Sequence, residues 1–181
     1  MSGRGRPRRP ADKAAALQAV YAQVPAIECR GQCWDSCGPI ELTRTERRRI
    51  AAGSGVEIAD RLPLHLPGGG EVACAALTFP LRRCGVYELR PLICRLWGVL
   101  DGMPCTYGCV PERYLTMAEG YELLARAADL DGDAGKAAMY RTHHLADPVV
   151  AAAAAPLFRA LATKRISPAE FARRMTEIGA T

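Results

Sequence analysis

The chain has 181 residues, enough for one domain with a modest core and too few for two ordinary domains. Hydrophobic residues make up 49% and charged residues 24%, a balance that excludes wholesale disorder. The net charge is +5, and Arg4, Arg6, Arg8 and Arg9 supply four of those charges, so the body is not a basic nucleic-acid surface.

Residues 1–10 read as a disordered basic tail. A helix is predicted from Ala11 to Gln23, ended by Pro25. Residues 28–40 hold a first group of cysteines, broken by Gly31, Gly38 and Pro39. Thr43 and Glu46 have the spacing of a capping box, so a second helix starts there and stops around Gly53–Gly55. Residues 63–70 (PLHLPGGG) read as loop. Val72–Thr78 and Cys84–Glu88 read as strands joined through a turn at Pro80. Pro91 suits the first position of a short helix reaching Trp97. Residues 101–111 form a Gly- and Pro-rich loop with the last two cysteines.

The remainder reads as helical. Tyr114, Ala118, Tyr121, Ala125 and Ala128 recur at steps of 4 and 3, which makes one apolar face. Further helices are predicted at 136–145 and 148–164, the second kinked or broken at Pro156. Ser167, Pro168 and Glu170 open a last helix with Phe171, Met175 and Ile178 on one face. These elements predict an α+β fold, mainly helical. A small cysteine-rich domain with a short β-hairpin (11–111) carries a helical C-terminal region (112–181) packed on it. The most apolar stretch, Val149–Phe158, is half the roughly 20 residues a spanning helix needs. No signal-peptide apolar core precedes it, so the expectation is a cytoplasmic protein with no membrane partner.

The outlier is cysteine. Eight are present, at 29, 33, 37, 74, 84, 94, 105 and 109, all within residues 29–109. In a reducing cytosol such a set points to a metal or redox site before a disulfide frame. The spacing contains no C-x2-C pair, which argues against a simple zinc ribbon and against a thioredoxin-like pair. Cys29, Cys33 and Cys37 would line one side of a helix or converge in a bent loop. The predicted hairpin would bring Cys74 near Cys84, and the Arg90-Pro91 turn would bring Cys94 back. Eight thiolates also divide into two sets of four, and the spacing does not choose the partition. Arg30, Arg82, Arg83, Arg90 and Arg95 each sit within four residues of a cysteine, where they would offset thiolate charge. Tyr87 could cover the site or donate its hydroxyl to a sulfur, against the plainer reading of a half-buried strand tyrosine.

Residues Cys84 to Arg95 (CGVYELRPLICR) resemble the C-x-I/V-Y-x-x-R-P-x-x-C-R signature of the YkgJ-like cysteine-cluster family. Cys29 to Cys37 is similar to that family's C-x2-C-x2-CC run, with one extra residue in the first gap and Ser36 in place of one doublet cysteine. Pro39–Thr43 with Glu46 is similar to the segment that follows the run, and Cys74 to the family's isolated cysteine. The resemblance covers about residues 27–110. It implies a zinc- or iron-chelating domain and little about a reaction. All eight cysteines are therefore candidate metal ligands, and Tyr87, Arg90 and Arg95 candidates for contact with the bound group. The cofactor expected is a 4Fe–4S cluster or a zinc ion, with iron–sulfur favoured because ligands are numerous and the zinc-type pair is absent.

The expected function is a metal-binding module acting in structure, electron transfer or metal handling, with a protein or small-molecule partner of unknown identity. One alternative is a modifying enzyme, because flagellin lysine methylases carry a similar cysteine cluster. Another is a DNA-associated sensor, because Arg4-Gly5-Arg6-Pro7 resembles the R-G-R-P core of the AT-hook. Asp129, Asp131 and Asp133 start like a calcium loop but meet Ala134 and Tyr140 where Gly and Glu are required, so they read as a solvated loop. His143-His144 reads as a charge–dipole pair at a helix end.

Overall fold

A computed structural model describes residues 10–37, 40, 42–55, 64–66, 70–78, 81–163 and 165–179. Residues 1–9 of the expected basic tail, with its AT-hook-like segment, the breakers Gly38 and Pro39, and Pro80 of the predicted turn lie outside the described residues, whereas Pro10 opens the first helix. Helix α1 (Pro10–Tyr21) buries Leu17, Val20 and Tyr21, a 3-and-4 spacing that makes one face. Helix α2 (Arg44–Ser54) has the expected ends. Thr43 and Glu46 close the capping box, and Gly55 at φ 70° sends its N–H to the Ala51 carbonyl.

Strand β1 (Leu64–Leu66) pairs antiparallel with β2 (Gly70–Ala73), which corrects the reading of that stretch as loop. The predicted hairpin follows, but shorter: β3 (Leu77–Thr78) pairs with β4 (Arg83–Cys84). Residues 85–89 do not continue the strand. Gly85 N–H donates to the Ala76 carbonyl at 2.8 Å, and a Cβ at Gly85 would stand 3.1 Å from Thr78 Cγ2. That bond is in register with β3–β4, and beyond it the chain enters a 3-10 turn at Tyr87–Leu89 and then α3 (Leu92–Leu96), with Pro91 as its N-cap.

Helices α4 (Met117–Asp131), α5 (Ala134–Thr142), α6 (Pro148–Ala162) and α7 (Pro168–Glu177) complete the chain. Their N-caps are Thr116, Asp133, Asp147 and Ser167, each accepting a backbone N–H from the first turn. Helix α6 runs on through Pro156. The predicted Tyr114–Ala128 face is only one of two buried sides of α4, and Tyr114 lies outside the helix, exposed. Ala125 and Ala128 meet Ala137 of α5, while Met117, Leu123 and Ala127 join the main core. Tyr121 stacks on His143, whose Nδ1 accepts the Leu145 N–H, so that histidine packs against α4 in addition to ending α5. The three aspartates are not a merely solvated loop either. Asp129 pairs with Arg141, Asp133 caps α5, and Asp131 accepts the Thr45 N–H (2.9 Å) and hydroxyl at the start of α2.

One main core joins Leu17 and Val20 of α1, Leu92 and Leu96 of α3, Val99, Leu100 and Leu115, and residues of α4, α6 and α7. A smaller cluster of Leu42, Ile50, Ala76 and Val86 lies behind the cysteine hairpin. Glu46 ties the parts together. Among the described residues it is the single buried charged side chain, 3% exposed. Its Oε1 accepts the Tyr21 hydroxyl (3.0 Å) and the Leu92 N–H (2.7 Å), and its Oε2 accepts the Thr43 N–H (3.0 Å). Arg49 and Arg95 lie over the Tyr21 ring at 5.1 and 4.8 Å.

Glu46→Ala should cost about 3 kcal/mol, because it strands the Tyr21 hydroxyl and the Leu92 N–H away from water. Thr116→Ala removes one exposed cap and should cost about 1 kcal/mol. Urea denaturation of the two variants checks the difference.

Candidate metal centre

Five cysteines, Cys33, Cys37, Cys74, Cys84 and Cys94, line one cavity of about 250 Å³. None of the eight cysteines forms a disulfide. Cys33 and Cys37 share one local device, and the other three arrive on separate ones. Cys37 ends a 3-10 turn at Cys33–Ser36, and its carbonyl accepts the Cys74 N–H at 2.8 Å. Cys74 follows β2, and its sulfur accepts the Ala76 N–H at 3.5 Å. Cys84 faces Leu77 across the β3–β4 pair. Cys94 sits in the first turn of α3, the helix whose opening N–H Glu46 accepts. The hairpin and the Arg-Pro turn thus bring Cys74, Cys84 and Cys94 to one place.

The electrostatics report the same neighbourhood. Burial pushes the Cys94 thiol well above the usual thiol range, and Cys74, Cys84 and Cys37 beside it add to the rise. Burial raises Cys74 too, with Cys84 adding. Cys33 is raised by burial and then by Cys29 and Cys105. Cys29 goes the other way. Burial opposes its thiolate, but Tyr87, the Gly31 N–H (3.4 Å) and Arg90 stabilise it and hold the thiol below its ordinary value. Tyr87 is pushed up to about 12 by burial and its bond to Cys29.

Tyr87 and Arg90 both line the cavity, and the Arg90 guanidinium lies 3.7 Å from the Tyr87 ring centre. Tyr87 is in a 3-10 turn and not in a strand. The other arginines go elsewhere. Arg95 donates to the carbonyls of Arg90 and Glu88 (2.8 Å each) and covers Tyr21. Arg30, Arg82 and Arg83 line an open groove with Trp34 and Tyr107, and Arg82 lies over the Trp34 ring. Cys105 packs at Gly98, and Cys109 is buried. Sequence reasoning missed the apolar walls, Ile40, Ile93, Trp97 and Met103, for which no local motif exists.

The donor chemistry suits a thiophilic metal, with sulfurs accepting N–H bonds of the kind that tune iron–sulfur centres. A single zinc ion holds its sulfurs at about 2.3 Å and so needs them nearly touching. Among the described residues, no three His, Cys, Asp or Glu side chains are grouped to hold one metal ion. The thiols as placed therefore do not fit a bare ion. The cavity equals roughly eight water volumes at about 30 Å³ each, room for a larger group. No family model, curated protein or solved structure matches the chain.

Gly98 adopts φ +84°, and a Cβ there would stand 3.3 Å from both Cys105 Cβ and Ile27 Cδ1. Gly132 has a similar φ of +75° with nothing within 4 Å. Gly132→Ala should cost about 1 kcal/mol for its backbone alone. Gly98→Ala should cost about 1 kcal/mol more, from crowding at Cys105. Thermal melts of both variants check the ordering.

Proposed function

We propose that the chain is a cysteine-ligated metal protein whose centre is held by Cys37, Cys74, Cys84 and Cys94. The observation that carries this reading is that four thiols from four separated segments meet around one cavity, with Cys94 beside the other three. An iron–sulfur cluster is favoured over zinc, since the space exceeds an ion and no three of these side chains among the described residues are grouped to hold one. Such a cluster, when bound, supplies one-electron chemistry or a structural staple. The chain's own residues would deliver the thiolates, exclude water with Ile40, Ile93 and Trp97, and balance negative charge with Arg90. The site then has the character of the YkgJ-like cysteine clusters that the sequence resembles. Electron transfer, metal handling or structural support in a reducing, cytoplasmic setting are the roles that match it. No helix among the described residues is long and apolar enough to cross a membrane.

Anaerobic purification of the full chain followed by iron, zinc and acid-labile sulfide analysis tests the reading. The expected result is a coloured protein with iron and sulfide in equal amounts. A colourless protein with stoichiometric zinc and no sulfide overturns the iron–sulfur assignment, and no metal of either kind overturns both. Removing the metal with a chelator should lower the melting temperature, because ligand binding to the folded state adds to stability.

A further inference from the structure

Resting on that reading, we infer that the arginine-lined groove beside the centre docks an acidic protein that exchanges one electron with it. The groove, of about 540 Å³, is lined by Arg30, Arg82 and Arg83 together with Trp34, Leu81 and Tyr107. Among the described residues, none of its lining side chains is acidic. The groove and the cysteine cavity share a wall, because Gly31 and Trp34 line both. The chain also joins them directly. Arg83 lines the groove, and the next residue, the proposed ligand Cys84, lines the cavity. Gln32 and Cys33 stand in the same relation. A partner that grips Arg83 is therefore one peptide unit along the chain from a ligand of the centre.

Arg82 supplies an independent observation. Just before β4 it adopts φ 50°, the left-handed backbone that no other non-glycine residue takes among those described. Glycine meets no Cβ penalty there, and strain of this kind concentrates where a side chain is used. The Arg82 guanidinium lies 4.5 Å from the Trp34 ring centre. Stacking engages its flat face, and its edge N–H groups match a carboxylate through two parallel hydrogen bonds. Leu81, 70% exposed, adds apolar contact, so the patch has the arginine and aromatic composition of a protein-docking surface. The charge is local, since four of the five net positive charges belong to residues 1–9 and the remainder of the chain is nearly neutral. A nucleic-acid strand calls for a longer basic track and bare aromatic faces, and Trp34 already carries Arg82. Electron-transfer partners meet over small, charge-steered contacts, which a groove with three arginines fits. In the step, one electron leaves the reduced centre and enters the partner's oxidised one-electron carrier. No bond forms or breaks, and no proton moves.

Stopped-flow oxidation of the dithionite-reduced holoprotein, followed by the visible absorbance of the centre, tests the docking. Two one-electron oxidants serve as probes, the carboxylate-shelled cobalt(III)–EDTA anion and the hexaamminecobalt(III) cation. In the wild type, added salt should slow the anion and speed the cation, and polyglutamate should compete with the anion. Arg82→Glu/Arg83→Glu should slow the anion about tenfold at low salt and speed the cation. Arg173→Glu/Arg174→Glu, the same charge change on α7, should alter both rates far less. Wild-type rates blind to probe charge and salt, or equal effects of the two variants, overturn the docking groove and leave the metal centre standing. Salt-dependent binding of a single-stranded oligonucleotide that is lost in Arg82→Glu/Arg83→Glu, with no competition by polyglutamate, overturns a protein occupant in favour of nucleic acid. A protein with no iron–sulfur absorbance overturns the earlier reading and this one with it. The wild-type salt and competition series decides the matter even where a variant fails to fold.

Discussion

The buried carboxylate of Glu46 is the constraint on which the rest depends. A carboxylate taken out of water is costly unless its lone pairs are filled and a compensating charge is near. Here the donors come from the end of α1, from the residue that caps α2, and from the first N–H of α3. Arg49 and Arg95, over the intervening Tyr21 ring, supply the positive charge. A donor that moved away would lose its partner and leave the carboxylate less satisfied, so three helices that share little sequence proximity are tied to one buried group. Ion-pair attraction alone would not do this, since exposed pairs such as Arg173–Glu177 contribute little.

That constraint reaches the thiols by a short route. Leu92 opens α3, and Cys94 follows two residues later in the same turn. Ile50 and Gly53 of α2 pack behind the hairpin and against Leu89, and Arg49 donates to the Leu89 carbonyl at 2.9 Å. Helix α2 therefore grips both the hairpin carrying Cys74 and Cys84 and the turn that presents Cys94. The C-terminal helices add a second hold on α2 through Asp131 and Thr45. The cysteine region is thus built on a rigid scaffold although its own secondary structure is scant.

Much of this was legible locally. The capping box at Thr43 and Glu46 marks the start of α2, and the Ser167-Pro168 opening marks that of α7, because both signals are complete within four residues. Arg90-Pro91 announces the turn before α3, since proline forbids the helical conformation just ahead of it. The strands were overextended because alternating apolar residues do not show where the chain leaves the ladder for the 3-10 turn at Tyr87–Leu89. The second role of Glu46 was invisible. A capping glutamate looks the same whether or not a backbone N–H 46 residues away also finds it. The meeting of Cys74, Cys84 and Cys94 was legible from the hairpin and the Arg90-Pro91 turn, whereas the place of Cys105 was not, because it depends on its contact with Gly98 and not on spacing. Arg95 illustrates the converse: proximity to a cysteine in sequence placed it near the site, yet its guanidinium is occupied by two carbonyls and Tyr21.

The hydrogen bond from the Cys74 N–H to the Cys37 carbonyl closes a loop of 36 intervening residues. A bond of this kind contributes about 1 kcal/mol net. The conformational freedom surrendered by pinning two points so far apart along a chain is roughly 4 kcal/mol by the loop-closure relation. The junction is therefore entropically under-secured by its own backbone and leans on the surrounding core to stay shut. Any covalent or coordinate tether between those two cysteines would close the longest gap in the cysteine array a second time, independently of the helix α2 that it contains.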